Sequence, residues 1–164
     1  MRFVVIPKRG VETDGQLLRL GSTREEVTAL FGEPDSVQGI AYYFDAELAL
    51  DFGKDGTLRY IECRSGTNAV IYGTDVFGTG ADKLHGILAA ENGTDIDEPE
   101  EGHSYTFNEI RVSLWRETSP QDVEEMIEEA ENDGEPMTED DIEDERQRAA
   151  HFDTIGVFAP GYYG

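Results

Sequence analysis

Leu18-Arg19-Leu20-Gly21-Ser22-Thr23-Arg24-Glu25-Glu26-Val27-Thr28-Ala29-Leu30-Phe31-Gly32-Glu33-Pro34 decides the fold, because it spells out one helix together with both of its ends. Ser22 to Glu25 reads as a capping box, a hydroxyl for the third helical amide and a carboxylate reaching back. Val27, Leu30 and Phe31 then make one apolar face, and Gly32 with Pro34 stops the helix. Two strands follow, Ala41 to Phe44 and Leu48 to Phe52, joined by a tight turn at Asp45-Ala46-Glu47. Leu48, Leu50 and Phe52 alternate with Ala49 and Asp51, the period of a half-buried strand. Gly53-Lys54-Asp55-Gly56 is a hairpin turn, and Leu58 to Cys63 returns as the next strand.

The same order recurs further along. Leu20-Gly21-Ser22 with Val27, Leu30 and Phe31 aligns with Phe77-Gly78-Thr79 with Leu84, Ile87 and Leu88. Tyr42-Tyr43-Phe44 aligns with Tyr105-Thr106-Phe107, Leu48 and Leu50 with Val112 and Leu114, and Arg59-Tyr60-Ile61 with Asp153-Thr154-Ile155. The expected fold is therefore α+β: two helix-plus-antiparallel-strand repeats forming one sheet with the helices on one face. Residues 1–75 hold the first repeat and an N-terminal strand from Phe3 to Ile6; residues 76–164 hold the second. Further strands are expected at Gly15 to Leu20, Ala69 to Tyr72, Ile110 to Trp115 and Thr154 to Phe158.

The halves part company at one place. Opposite the short Gly53–Gly56 turn, the second half carries an acidic helical insertion, residues 117–151. Ser119 caps its first helix with Pro120 at the opening position, and Val123, Met126, Ile127 and Ala130 recur at helical spacing. A second helix, from Thr138 to about Ala149, has only Ile142 and Ala149 on its apolar face.

The pattern in Leu18 to Pro34 and then Tyr42 to Ile61 resembles the repeat unit of the β-lactamase-inhibitor-protein-like fold, shared by outer-membrane assembly lipoproteins of the SmpA/OmlA type. The inhibitor protein is itself a tandem repeat. The resemblance implies a sheet with one face free to bind a partner protein. This chain departs from it in having no secretion signal, no lipobox and no paired cysteines, so the secreted roles are not carried over. Val112-Ser113-Leu114-Trp115-Arg116 and the ending from Phe152 to Tyr163 also resemble a group of small uncharacterised bacterial proteins with no known activity.

Composition narrows the classes of function. The formal net charge is −23 on 164 residues, with a single cysteine, Cys63. A charge of that size repels phosphate backbones and anionic lipid heads, so neither nucleic acid nor membrane is an expected partner. One cysteine permits no internal disulfide, and a reducing cytoplasm is the expected location. Residues 1–75 carry 12 acids against 8 Lys/Arg, and residues 76–164 carry 24 against 5, so the acidity is concentrated in the second half. Salt adaptation would load both halves alike; the skew fits a localised acidic face.

No catalytic constellation is visible. His85, His103 and His151 fall in different elements without ligand spacing, and Cys63 reads as a buried thiol within a strand. Asp51, Asp55, Gly56 and Glu62 partly mimic a calcium loop, but strands flank them where helices are required. No cofactor, no metal and no enzyme activity are expected. The leading expectation is a protein-binding module of inhibitor or immunity type facing a basic partner. Its acidic face is Asp122, Glu124, Glu125, Glu128, Glu129, Glu139, Asp140 and Asp141, with Glu143 and Asp144 beyond. Its aromatic anchors are Tyr42, Tyr105, Trp115, Tyr162 and Tyr163. A DNA mimic is a variant of the same idea. A small-ligand or enzymatic module using an inter-repeat cleft is the alternative from a different class, alongside a salt-adapted acidic domain. The segment Pro160 to Gly164 is placed to dock against the sheet.

Overall fold

The computed structural model describes residues 1–163, the Gln38 side chain excepted; Gly164, the last residue of the docking segment, lies outside the described residues. The chain opens with β1 (Arg2–Ile6), β2 (Gly10–Thr13) and β3 (Gln16–Arg19), each antiparallel to the next. Asp14 and Gly15 turn β2 into β3 with φ of 50° and 76°, the backbone of a two-residue hairpin. Helix α1 (Arg24–Phe31) comes next. Its cap is Thr23, whose hydroxyl accepts from the Glu26 amide, one residue later than the box expected at Ser22 and Glu25. Ser22 instead ties the chain to Leu58, whose amide donates to its carbonyl at 2.8 Å, and Thr23 bridges Thr57 as the helix begins.

A meander follows: β4 (Ser36–Gln38), β5 (Ile40–Tyr43), β6 (Leu48–Phe52) and β7 (Leu58–Arg64). Then come β8 (Asn68–Ile71), the short β9 (Thr74–Asp75), and α2 (Ala81–Asn92), which ends at Gly93 with φ 67°. The second half continues with β10 (Ile96–Glu100), β11 (Ser104–Phe107), β12 (Val112–Trp115), the helices α3 (Pro120–Asn132) and α4 (Glu139–Ala149), and β13 (Thr154–Phe158). The fold is α+β, with largely antiparallel pairing.

Eight strands form the larger sheet in the order β10-β11-β12-β13-β7-β6-β5-β4. The two halves of the chain meet where β13 pairs with β7. Read outward from that junction, one half runs β7, β6, β5, β4 and the other β13, β12, β11, β10. The α3–α4 hairpin stands between β12 and β13, where the first half has the Gly53–Gly56 turn between β6 and β7.

The expectation of a single sheet needs correcting. β3-β2-β1-β8-β9 form a second sheet of five strands, tied by a parallel pairing of β1 with β8 through Phe3 and Ala69. Its apolar residues require cover on one side, and the larger sheet supplies it. Leu48, Leu50, Ile61, Cys63, Val112, Leu114, Ile155 and Val157 are at most 1% exposed and share one core with Phe3, Val11, Leu18, Val27 of α1, and Leu84 and Leu88 of α2. Each such aliphatic side chain contributes roughly 1.5–3 kcal/mol by leaving water. The larger sheet therefore has an inner face, under the small sheet and helices, and an outer face made of the alternate residues.

The strands absent from the sequence reading are β2, β4, β9 and β10. β10 is Ile96-Asp97-Glu98-Pro99-Glu100, paired on one side only. Charges and proline suit an edge strand, because they block further pairing, and they erase the apolar alternation that marks a strand.

Candidate functional site

The outer face of the eight-stranded sheet is built on an in-register row of mostly small residues, Tyr42, Ala49, Glu62, Gly156, Ser113 and Thr106, crossing β5, β6, β7, β13, β12 and β11. Small residues leave room above them. Tyr60 fills that room over Gly156, whose missing side chain lets the phenol ring lie against the backbone. Residues 160–163 then fold back over the same region. Tyr162 stacks on Tyr60 with ring centroids 5.0 Å apart and planes 3° from parallel, and its hydroxyl donates to Asp51 Oδ2 at 2.6 Å. Tyr163 meets the Phe158 ring edge-on at 4.8 Å and its hydroxyl reaches Ser113 Oγ at 3.4 Å. Arg59 anchors the segment by donating to the Pro160 carbonyl at 2.6 Å.

These phenols are held neutral. Burial, and then the Glu62 carboxylate, pushes the Tyr60 hydroxyl well above the usual tyrosine range; Tyr60 also donates to Glu62 Oε1 at 3.1 Å. Burial and the bond to Asp51 push Tyr162 upward as well. The expected docking of residues 160–163 is thus what the fold contains, and Tyr162 and Tyr163 serve first as a cover for the sheet.

The part of the outer face left open lies on the other side of the small-residue row. Here Trp115, 36% exposed, sits opposite Thr154 in the β12–β13 register, and a cleft of about 600 Å³ is lined by Glu62, Arg64, Ser65, Trp115, Glu117, Asp153 and Thr154. The cleft straddles the junction of the two halves. Arg64 extends over the Tyr42 ring, 5.4 Å from its centroid, and stands 3.7 Å from Glu62. Asp153 is fixed by accepting the Glu117 amide at 2.8 Å. Tyr42 and Trp115 therefore do lie on this surface. Glu62 and Arg64 belong to it too and were absent from the sequence-derived set. The alternation in Leu58 to Cys63 contains the signal: once Ile61 and Cys63 point inward, Tyr60, Glu62 and Arg64 must point outward.

Tyr105 is a correction. It is on the inner face, edge-on to His85 at 4.8 Å and to Phe152 at 5.8 Å, because β11 pairs Tyr105 with the buried Leu114. It cannot anchor anything on the outer face.

The acidic residues divide by role. Glu125, Glu128, Glu129, Glu139, Asp140 and Asp141 are exposed on α3 and α4. Glu124 is exposed but paired with Arg146 of α4 at 3.4 Å. Asp122 is structural: it accepts the Ser119 amide at 2.9 Å while Ser119 Oγ accepts the Asp122 amide, and its carboxylate is 3.0 Å from His103 Nε2. The Ser119 amide, with His103 and Arg116 nearby, holds the Asp122 carboxyl below the usual aspartate range. The hairpin leaves the sheet directly after Trp115 and re-enters at Thr154, so its base borders the open cleft.

The remaining polar candidates have local partners. His151 Nδ1 faces the Gln147 carbonyl at 2.9 Å, and His103 Nδ1 faces the Arg116 carbonyl at 3.0 Å. Asp55 accepts from both the Thr57 amide and hydroxyl, an Asx turn inside the hairpin, and Asp51 is taken by Tyr162. Cys63 is fully buried, and burial pushes its thiol up, away from the reactive thiolate.

No family model matches the chain, and no curated protein matches it. Among solved structures, a DUF4309 family protein (YjgB) from Bacillus subtilis aligns over 93% of this chain and 88% of its own, with 14% identity and a TM-score of 0.48. Among the described residues, no helix is long and apolar enough to cross a membrane.

Proposed function

We propose that this chain is a non-enzymatic binding module of inhibitor or immunity type, working in the cytoplasm, that receives a basic partner protein at the open end of its outer sheet face. The observation that carries the reading is the Trp115 cleft, where an exposed indole stands among Glu62, Glu117 and Asp153, with Arg64 the one cation among the described residues that line it. A lysine or arginine from a partner gains twice in such a place. It stacks its charge on the indole, and it meets carboxylates already fixed by the sheet and by the Asp153–Glu117 contact.

The α3–α4 hairpin adds reach. Its exposed carboxylates create a negative field at the border of the cleft, which speeds encounter with a positive surface more than it tightens the final complex. The same field disfavours nucleic acid and anionic lipid as partners. The mirrored strand order about the β7–β13 junction supports the tandem-repeat reading, and with it the resemblance to inhibitor proteins.

The division of labour is testable by reversing Glu124, Glu125, Glu128 and Glu129 to lysine. Binding to the partner should then form about tenfold or more slowly at low salt and lose most of its salt dependence, while dissociation changes little. An unchanged association rate would remove the hairpin from the binding reaction.

A further inference from the structure

The second half of the chain has five Lys/Arg residues, Lys83, Arg111, Arg116, Arg146 and Arg148, in a segment of net charge −19. Three of the five line one cavity. It lies between the N-terminus of α2 and the α3–α4 hairpin, has a volume of about 520 Å³, and is bounded by Lys83, Arg116 and Arg146 on the charged side and by Ala81, Val123 and Ala149 among its apolar walls. Two acids, Asp82 and Glu124, also border it, and Glu124 is already paired with Arg146. In a protein this acidic, a cleft with more cations than anions runs against the surrounding charge.

Arg116 is the residue that demands an explanation. It is only 6% exposed. Its Nε donates to the Gly102 carbonyl and its Nη1 to the Ala149 carbonyl, both at 2.7 Å, and its guanidinium carbon is 5.4 Å from the centre of the Phe152 ring. Among the described residues, no carboxylate lies within 4.0 Å of it. Asp122 is the carboxylate that acts on it from farther away, and a buried charge with no counter-ion in contact is expensive unless something else supplies the opposite charge. Carbonyl dipoles, an aromatic face and the more distant Asp122 supply part of it, and the cavity wall beside Ala149 is where a ligand's charge can add to them.

The end of α2 points the same way. Thr23, Ser119 and Thr138 each cap their helix with a side-chain oxygen, whereas Gly80, at the start of α2, has no side chain to do so. The Ala81 amide is satisfied by the Ala150 carbonyl at 2.7 Å, which fixes the hairpin against α2 and shapes the cleft. A helix N-terminus carries partial positive charge that adds to the three side chains.

We infer that this cleft is a binding site for a small amphipathic organic anion, a carboxylate on an aliphatic body. The carboxylate sits against Arg116, Arg146 and Lys83, and the aliphatic part lies on Val123 and the alanines. The volume falls within the range of small-molecule sites, roughly 300–1,000 Å³. The site is separate from the Trp115 cleft and shares no residue with it.

The test is calorimetric titration of the full chain with octanoate, 1-octanol and octylammonium, matched in chain length and differing in charge. Octanoate should bind saturably and about tenfold or more tightly than octanol, since a charge-assisted hydrogen bond is worth that much, and octylammonium should not bind. Arg146→Gln and Lys83→Gln should each weaken octanoate, and Ala150→Trp should abolish its binding by filling the cleft. These positions are exposed, and circular dichroism verifies that each variant is folded. The inference is overturned if octanoate does not saturate the folded protein, if octanol binds as tightly, or if Ala150→Trp leaves octanoate binding unchanged.

Discussion

Tyr162 lies on Tyr60 with ring centroids 5.0 Å apart and planes 3° from parallel, and this stack helps fasten residues 160–163 to the outer face of the sheet. Beneath it, Gly156 leaves no room for a side chain, because a Cβ there would collide with the Tyr60 ring. The three residues form one stack: backbone at 156, phenol at 60, phenol at 162.

Gly156→Ala should therefore act at a distance. The added methyl lifts Tyr60, and Tyr162 loses its seat. Urea unfolding is expected to show a loss of about 1–3 kcal/mol, in the range of overpacked cores. Tyr162→Ala should lose the ring pairing itself, about 0.5–1.5 kcal/mol on top of its buried area.

The same stack predicts an alkaline limit. Tyr60 and Tyr162 hold their protons in the folded chain above the ordinary tyrosine value, while the unfolded chain releases them near pH 10. Their contribution is complete below that pH and is lost as pH rises from it toward the raised folded values. Absorbance titration at the phenolate band should show these two phenols ionising together with unfolding and not before.

Asp122 predicts an acid limit of opposite sign. Its carboxyl is held below the ordinary aspartate value by the Ser119 amide, so its stabilising effect is present above about pH 4 and disappears as pH falls through the lower folded value. Asp122→Ala should lower the melting temperature at pH 7, and the gap from the parent protein should close in acid. A gap that persists at low pH would assign the effect to packing.

Thr13 offers a gain. It is 2% exposed, and its hydroxyl has no hydrogen-bond partner among the described residues. Thr13→Val keeps the branched shape suited to β2 and removes a buried unsatisfied oxygen. Stability should stay level or rise, by up to about 1–3 kcal/mol in urea unfolding.

Much of this architecture was legible in the residues. The period-2 alternation of Leu48, Leu50 and Phe52, the Gly53–Gly56 turn, and the Ser119-Pro120 helix start are local signals, and each formed where its residues stand. The second sheet was not legible, because it depends on the parallel union of β1 with β8, more than sixty residues apart, which no local period records. β4 and β10 lack apolar alternation because edge strands need none. On the outer face, Trp115 and Tyr42 were anticipated because aromatics are conspicuous, and Tyr105 was placed on the wrong face because its neighbour Leu114 fixes that face through register alone. Arg116 escaped notice since a buried cation has no sequence signature; only the fold reveals that it is enclosed.

The central claim is that a basic partner docks at the Trp115 cleft. The direct measurement is affinity capture from the native cell extract at low and high salt, with the parent protein and its Trp115→Ala variant side by side, read by mass spectrometry. The account predicts one basic protein retained by the parent, weakened by salt, and reduced about tenfold or more by Trp115→Ala, as for a central aromatic anchor. Retention that is indifferent to Trp115→Ala, or no specific retention at either salt, would contradict it.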